Sequence, residues 1–194
     1  MDIILSTRNP SKALQIQEIF EGSGLRVRTL EEAGIEGEAV ENGETLEENA
    51  AKKAWYAHEH APGLWTMADE TGLFITALDG APGIRAASWA GDVSTDEIMQ
   101  YCLKRLGGAK DRSAIFRTVV VLVSPEGQEH PFTGEVAGTL LEAPRAKPQP
   151  KMPYSPLFVP DGETLTWAQM NIDHENRISQ RGIAFRKVLK FLTQ

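Results

Sequence analysis

The most constraining feature of the sequence is a pair of strand-like segments near its middle. Residues 115–123 read Ile-Phe-Arg-Thr-Val-Val-Val-Leu-Val, and the turn-forming residues Ser-Pro-Glu-Gly follow at 124–127. A second strand-like segment extends through 132–141. Two β-prone segments joined by a short turn are typical of a β-hairpin. We therefore expect a long antiparallel hairpin in this part of the chain.

Strand-like and helix-like patterns alternate along the rest of the chain, which favours an α/β domain. Strands are predicted over 3–6 and 25–30. Each of four predicted helices is preceded by a residue that favours the N-cap position: Asn9, Thr45, Ser94 and Ser179. Glu48 and Glu97 stand three residues after Thr45 and Ser94, which predicts a capping box at two of these helices.

Length and composition indicate one globular domain over residues 1–194. The 194 residues are 41% hydrophobic, and a chain of this length buries roughly 70% of its unfolded surface on folding. The only cysteine, Cys102, excludes an intramolecular disulfide and a cysteine-based metal cluster. The N-terminus has no basic start and only a short apolar run, so we expect no transmembrane span and a cytoplasmic protein.

The charge distribution indicates what kind of ligand the chain binds. There are 20 basic and 27 acidic residues, a net charge of −7, which argues against nucleic acid and anionic membranes as partners. Eight glutamates and no basic residue lie between 31 and 48, whereas basic residues cluster after 176. This asymmetry suits a site for a cation and a polyanion, although two solvated faces of opposite charge would give the same pattern.

Prolines are concentrated in one stretch near the C-terminal end. Six of the 11 prolines fall between 144 and 160. Such a density disfavours helix and central strand, and it predicts an extended, stiff loop that is either functional or covers a sheet edge.

The segment 6–12 lies between a predicted strand end and a predicted helix start. Backbone N–H groups and the helix dipole attract anions at such a junction. Thr7, Asn9 and Lys12 add a hydroxyl, an amide and an ammonium group there. The alternative is an ordinary N-cap followed by an exposed lysine.

Two further segments carry clustered carboxylates. Glu41 and the glutamates near the start of the second helix precede Lys53, and Mg²⁺ prefers one or two carboxylates together with water and phosphate oxygens. Asp69 and Glu70 are expected directly after a strand, where one acid can bind a metal and the other can activate water. Helix capping and solvated surface turns are the alternatives for these acids.

A fourth segment opens the last predicted helix. Ser179 is a natural N-cap, and Arg181 offers a planar set of donors suited to a phosphate or a base carbonyl.

Taken together, these segments resemble the inosine triphosphate pyrophosphatase family over nearly the whole chain. The segment 7–12 matches its Thr-x-Asn-x-x-Lys motif, and 41–53 matches Glu-x-Gly-x-Thr-x-x-Glu-Asn-Ala-x-x-Lys. The segment 68–73 is similar to Ala-Asp-Asp-Ser-Gly-Leu, and 176–182 is similar to Asn-x-Ile-Ser-His-Arg-Gly. The resemblance implies an elongated, two-lobed α/β fold around a long twisted mixed sheet with a central cleft, usually in a homodimer.

The resemblance also implies an activity, namely Mg²⁺-dependent hydrolysis of inosine- and xanthosine-type triphosphates to monophosphate and pyrophosphate. It implies that Glu41 and Asp69 hold the metal and that Glu70 activates water, with Asp69 and Lys53 also catalytic. The remaining positions are implied to bind the substrate: Thr7, Asn9, Lys12, Lys53, Met152, Tyr154, Ser155, Glu175, Ser179, Gln180 and Arg181.

The chain departs from the family where that family handles the base. Its second motif aspartate is Glu70 here, its lysine before Asn176 is Glu175, and its histidine is Gln180. Its Gly-Phe-Gly-Tyr-Asp-Pro segment reads Lys-Met-Pro-Tyr-Ser-Pro at 151–156. The Gln180 amide can donate to a keto group or accept from an amino group, and we expect Glu175 to add an acceptor to the base pocket. Both changes should weaken or reverse the discrimination against amino-bearing bases. The alternatives are the same reaction on another modified or pyrimidine nucleotide, and a nucleotide-binding protein that has lost hydrolysis.

Overall fold

A seven-stranded mixed sheet runs through the molecule in the computed structural model, which describes residues 1–194. The strands are β1 (Asp2–Leu5), β2 (Arg26–Thr29), β3 (Trp65–Ile75), β4 (Pro82–Gly83), β5 (Ser113–Val123), β6 (Glu129–Leu140) and β7 (Phe158–Pro160). Their order is β2-β1-β3-β5-β6-β7, and β4 pairs with β3 outside that path. The five helices are α1 (Pro10–Ile19), α2 (Leu46–His60), α3 (Thr95–Leu106), α4 (Ile172–Ile178) and α5 (Gln180–Leu192).

Strand direction divides the sheet into two parts. β1 is parallel to β2 and β3, whereas β3, β5, β6 and β7 are successively antiparallel. β5 and β6 form the expected hairpin, in register from Ser113 opposite Thr139 to Val123 opposite Glu129. This pairing confirms the hairpin prediction, and the β-branched residues at 118–121 and 123 are buried, whereas Ile115 is exposed.

The apolar core is divided into clusters by the sheet. Val120 and Leu122 of β5 pack on the face covered by α1 and α5, while Val119 and Val121 pack under α2 on the opposite face. A further cluster around Phe116 and α3 fills the far end of the long strands. Helices thus cover the sheet on both faces, and the expected mixed α/β fold is confirmed.

Several local predictions need correction. Ser94 and Glu97 form a complete capping box, but at α2 only Thr45 caps the helix, because the Glu48 carboxylate accepts a hydrogen bond from the Glu44 N–H instead. Helix α4 has no counterpart among the predicted helices; it is a seven-residue helix immediately before the Ser179 N-cap of α5. The proline-rich stretch ends in β7, a strand at the sheet edge, where proline is tolerated.

None of the helices combines the length and the hydropathy that a membrane span requires.

Gly134 allows α5 to cross closely over β6. A Cβ atom at this position would lie 2.0 Å from the Gln180 carbonyl oxygen and 2.8 Å from the Ala184 amide nitrogen. Both neighbours are backbone atoms of α5, which cannot turn aside as a flexible side chain does. The close approach therefore sets the position of the first turn of α5 relative to the sheet.

We expect Gly134→Ala to lower the free energy of unfolding by at least about 1–3 kcal/mol, because the added methyl group forces β6 and α5 apart. Chemical denaturation of the purified variant measures the loss. Gly108→Ala is the matched control, since a Cβ there meets nothing within 4 Å. Equal stabilities of the two variants would contradict the close approach.

Candidate active site

The site is built where β3 continues past the end of β1. The β1–β3 pairing ends at Leu5 opposite Met67, and β4 joins the same edge of β3 only at Leu73. On its other edge β3 is paired with β5 without interruption from 66 to 75. Residues 68–72 therefore lie in a strand with one unpaired edge. The expectation that Asp69 and Glu70 follow a strand is wrong, because pairing with β5 extends β3 through them.

Asp69 and Glu70 point to opposite faces of the sheet, because successive side chains of a strand alternate. Asp69 faces α1 and α5, where Lys12 and Arg181 contact its carboxylate. Glu70 faces α2, where Lys53 hydrogen-bonds to it. The two acids thus lie on either side of the free edge of β3, each with its own cationic partners.

The Asp69 carboxylate is buried between two cations. Its side chain is only 1% exposed, with the Lys12 Nζ 3.0 Å from Oδ1 and the Arg181 Nε 3.5 Å from Oδ2. Lys12 Nζ also donates to the Asp69 carbonyl oxygen at 3.3 Å. Burial would raise the pKa of Asp69, but the charges of Lys12 and Arg181 outweigh it and hold the pKa below its ordinary value. Asp69 is therefore ionised at neutral pH and fixes both cations.

The Lys53 ammonium joins two carboxylates from different segments. Its Nζ lies 2.6 Å from Glu41 Oε1 and also hydrogen-bonds to Glu70 Oε1. Burial would lower the pKa of Lys53, but the carboxylates of Glu70 and Glu41 outweigh it and raise the pKa. The pKa of Glu70 is itself raised, because its burial outweighs the charges of Lys53 and Lys12. The carboxylates of Glu41 and Glu70 therefore share one cation, the Lys53 ammonium group.

Arg8, in the loop before α1, hydrogen-bonds to the glutamate-rich segment 31–48. Its guanidinium donates to the carbonyl oxygens of Ile35 and Gly37 at 2.6–3.1 Å. In the same loop the Thr7 hydroxyl accepts from the Asn9 N–H, and the Asn9 side chain caps α1 through the Lys12 N–H. This loop therefore combines a helix N-terminus with an ordered backbone, the arrangement that favours an anion.

A cavity of about 370 Å³ connects these groups. Eleven of the fourteen predicted site residues line it: Thr7, Asn9, Lys12, Glu41, Lys53, Glu70, Met152, Tyr154, Ser155, Gln180 and Arg181. Asp69, Glu175 and Ser179 do not line it. Asp69 lies beneath Lys12 and Arg181, and the Ser179 hydroxyl accepts the Gly182 N–H as the N-cap of α5.

One end of the cavity is largely apolar and aromatic. Phe116, Met152, Tyr154 and Trp167 contribute to its wall, and the Tyr154 hydroxyl is fixed by donating to the Ala86 carbonyl oxygen at 2.8 Å. The Ser155 hydroxyl is used within its own loop, where it donates to the Met152 carbonyl oxygen and accepts the Gln149 N–H. This end of the cavity therefore suits a planar, uncharged group.

Sequence reasoning missed Gln15, which lines the cavity and is buried. It lies on α1 three residues after Lys12, so the helical repeat places both on one face of the helix. That spacing is the signal that would have found it. Phe116 and Trp167 gave no such signal, because long-range packing brings them to the wall.

The donor set fits a hard divalent cation. Two carboxylates converge on the Lys53 ammonium, so the structure already favours positive charge at that point. The structure gathers no group of three or more His, Cys, Asp or Glu side chains suited to a metal ion. Such a two-carboxylate arrangement matches Mg²⁺, which takes its other ligands from water and substrate phosphates. The expected pair was Glu41 with Asp69, whereas the geometry brings together Glu41 and Glu70.

Fold and cavity together define a mixed α/β protein in which the loop at the start of α1 lies beside paired carboxylates. The family model described as the Ham1 family matches residues 3–191, and the chain belongs to that family. This confirms the resemblance found in the sequence.

The similarity to relatives and to solved structures covers nearly the whole chain. A protein of Deinococcus deserti named dITP/XTP pyrophosphatase is 38% identical over 182 residues, which cover 94% of this chain and 85% of that protein. One of Christiangramia forsetii with the same name is 34% identical and is matched over 100% of both chains. The structure of the Staphylococcus aureus Ham1 protein has a TM-score of 0.86, with 29% identity over 99% of this chain and 98% of that one. A HAM1 protein from Coxiella burnetii has a TM-score of 0.87, with 31% identity over 100% and 98%.

Lys151, at the rim of the cavity, has a strained backbone. Its φ is 60°, in the left-handed region that glycine adopts at little cost. A side chain in this region costs about 1–2 kcal/mol, partly offset by the lower flexibility of the unfolded chain. The family motif has glycine at this position.

We expect Lys151→Gly to raise the free energy of unfolding by about 0.5–1 kcal/mol, because it removes that strain. Lys147→Gly is the matched control in the same loop, without a positive φ, and should be neutral or destabilising. Denaturation midpoints of the two variants check the difference. A Lys151→Gly protein that is less stable than the wild type would contradict the strain.

Proposed function

We propose that this chain hydrolyses non-canonical purine nucleoside triphosphates of the dITP and XTP type to nucleoside monophosphate and pyrophosphate. The observation that carries the proposal is the convergence of Glu41 and Glu70 on Lys53, next to the anion-binding loop and within one cavity. Membership of the Ham1 family and the names of the relatives support the same activity.

The triphosphate lies along the cationic end of the cavity. Thr7, Asn9 and the start of α1 receive phosphate oxygens through backbone and side-chain donors. Lys12 and Lys53 supply positive charge on either side of β3. Since both ammonium groups are held by carboxylates, they are placed before the substrate binds, which lowers the cost of reorganisation.

The metal proposed here is Mg²⁺, held by Glu41 and Glu70 rather than by Glu41 and Asp69. When bound, Mg²⁺ neutralises charge on the phosphates and on the departing pyrophosphate. Asp69 has a different role, since it lies under Lys12 and Arg181 and keeps both cations in position.

Glu70 also serves as the base for water. Its carboxylate lies at the unpaired edge of β3 beside Lys53 and lines the cavity, which places it to accept a proton from a water there. The water oxygen forms a bond to the α-phosphorus, and the bond between that phosphorus and the α–β bridging oxygen breaks. The water proton passes to the Glu70 carboxylate, and pyrophosphate leaves beside Lys53.

The base occupies the aromatic end, between the hydrophobic wall and α5. The Arg181 guanidinium can donate to a keto oxygen, and Gln180 Oε1 is a buried acceptor without a hydrogen-bond partner. A 6-keto purine presents O6 as an acceptor beside N1–H as a donor, which matches this pair. The amino group of adenine would face the donors of Arg181 and leave them unpaired, which disfavours it.

The proposal also includes a cytoplasmic location and a homodimer. The location rests on the sequence features described above, and the dimer rests on the family resemblance alone.

The direct test is a product assay with Mg²⁺ and a panel of triphosphates. We expect pyrophosphate release from dITP and XTP, at least about tenfold faster than from dATP as judged by kcat/KM, and complete loss with a chelator. Release of orthophosphate in place of pyrophosphate, or full activity with the chelator, would contradict the proposal.

Matched variants distinguish the roles of Asp69 and Glu70 in the same assay. Glu70→Gln should abolish turnover, since it removes both a metal ligand and the base. Asp69→Asn should raise KM for the nucleotide without raising the Mg²⁺ concentration needed for half-maximal activity. Glu47→Gln, an exposed residue in the first turn of α2, is the control and should behave as the wild type.

A further inference from the structure

A buried chain of polar side chains leads from the active site into the packing between α1, α4 and α5. Arg181, which contacts Asp69, donates through Nη1 to Gln15 Oε1. Gln15 in turn donates through Nε2 to Glu175 Oε1 at 3.0 Å. All four residues are at least nine-tenths buried. The chain therefore runs from Asp69 to Glu175 without leaving the interior.

Glu175 lies behind the wall of the cavity rather than in it. The expectation that its carboxylate faces the base is therefore not what the structure shows, since the cavity is lined by Gln15 and Arg181 in front of it. An ionised carboxylate is costly in such a place unless it has partners. Burial raises the pKa of Glu175, and the charge of Arg181 and hydrogen bonds from Gln15 and Gln149 only partly offset this. An ionised Glu175 thus carries a desolvation cost, and what it provides in return is an acceptor for the buried Gln15 Nε2.

The orientation of the Gln15 amide is set by Glu175 at one end and by Arg181 at the other. A glutamine amide has one accepting and one donating end, and the two orientations differ by a rotation of half a turn. A carboxylate accepts only, so it must face the Nε2 end of Gln15. The Oε1 end is then turned toward Arg181, where it accepts from Nη1. In the opposite orientation the Gln15 amide would present its N–H groups to the guanidinium, and the contact would be repulsive.

Hydrogen bonds from the Asn176 side chain support the same arrangement. The Asn176 side chain donates to the Gln15 carbonyl oxygen at 3.3 Å and to the Glu18 carboxylate at 2.9 Å, which joins α4 to α1 at this point. Gln15 therefore has little freedom to withdraw from Arg181.

We propose that Glu175 is a positioning residue that fixes the Gln15 amide and, through it, the Arg181 guanidinium, and that this relay maintains the preference for a 6-keto purine. The inference deepens the proposed function and rests on its placement of the base beside Arg181. Arg181 Nε lies 3.5 Å from the Asp69 carboxylate and Nη1 donates to Gln15, so the guanidinium is placed while donors remain for the keto oxygen. Loss of the relay frees the guanidinium to rotate, so a keto oxygen loses its fixed donor.

The test compares two substitutions of Glu175 that differ only in hydrogen bonding. Glu175→Gln keeps an accepting oxygen for Gln15, whereas Glu175→Leu removes it. We expect Glu175→Leu to raise KM for dITP about tenfold, with kcat changed less than about threefold and KM for dATP unchanged. Glu175→Gln should retain most of the preference for dITP. An equal loss in both variants would show that charge, not orientation, is what matters and would overturn the proposal.

Further variants locate the effect in the relay. Gln15→Met should reproduce the loss seen in Glu175→Leu, and the double variant should be no worse than either single one, because both break the same connection. Gln17→Met is the matched control on α1, since the Gln17 side chain bonds only to Val27 and Glu32 on the other side of the helix. Additive losses in the double variant would contradict a single relay.

Two more measurements distinguish a positioning role of Glu175 from a purely structural one. Glu175→Leu leaves Gln15 Nε2 unpaired and should lower the thermal midpoint only slightly, so a large decrease accompanied by losses for both nucleotides would indicate a structural role only and overturn the proposal. Binding of dIMP and dAMP by calorimetry repeats the comparison without turnover. If the wild type binds dIMP more tightly than dAMP but releases no pyrophosphate from triphosphates, the proposed function is refuted. The relay is then still tested, because it predicts that Glu175→Leu loses the preference for dIMP over dAMP.

Discussion

The position of the site depends on one strand being longer than its parallel neighbour. β3 keeps its backbone hydrogen bonds to β5 from 66 to 75, whereas β1 leaves its other edge after Met67. Because side chains alternate along a strand, Asp69 and Glu70 are presented on the two faces of the sheet at that free edge. Lys12 and Arg181 meet the first acid, and Lys53 meets the second. A shorter β3 would leave both carboxylates in solvent, and neither set of cations would be held.

The buried charges at this edge of β3 fit the proposed binding of a polyanionic substrate. Taking Lys12, Lys53 and Arg181 out of water is unfavourable unless each has a carboxylate partner, and each of them has one. Despite burial, the charges of Lys12 and Arg181 lower the pKa of Asp69, whereas burial outweighs the neighbouring charges and raises the pKa of Glu70. Two adjacent acids in one strand thus differ in chemistry because they face different elements of the fold.

Prediction from sequence succeeded where the signal was local. The β-branched run of β5, the turn at 124–127 and the N-cap residues gave the hairpin and the helix starts, because neighbouring residues determine them. Most of the site residues that the motif spacing named do line the cavity. The division of roles between Asp69 and Glu70 was not predictable in this way, since it depends on which helix packs on each face of β3. Glu175 was assigned to the base pocket from its place in a motif, whereas only the packing of α1 against α4 puts Gln15 in front of it.

Hydrolysis in water enriched in ¹⁸O tests most directly whether these groups direct water to the α-phosphorus. With dITP and Mg²⁺, mass spectrometry of the products should show a single ¹⁸O atom in the monophosphate and none in the pyrophosphate. That result places the attack next to the nucleoside, where Glu70 and Lys53 are proposed to act. Label in pyrophosphate, which means attack at the β-phosphorus, or in orthophosphate, which means attack at the γ-phosphorus, would contradict it.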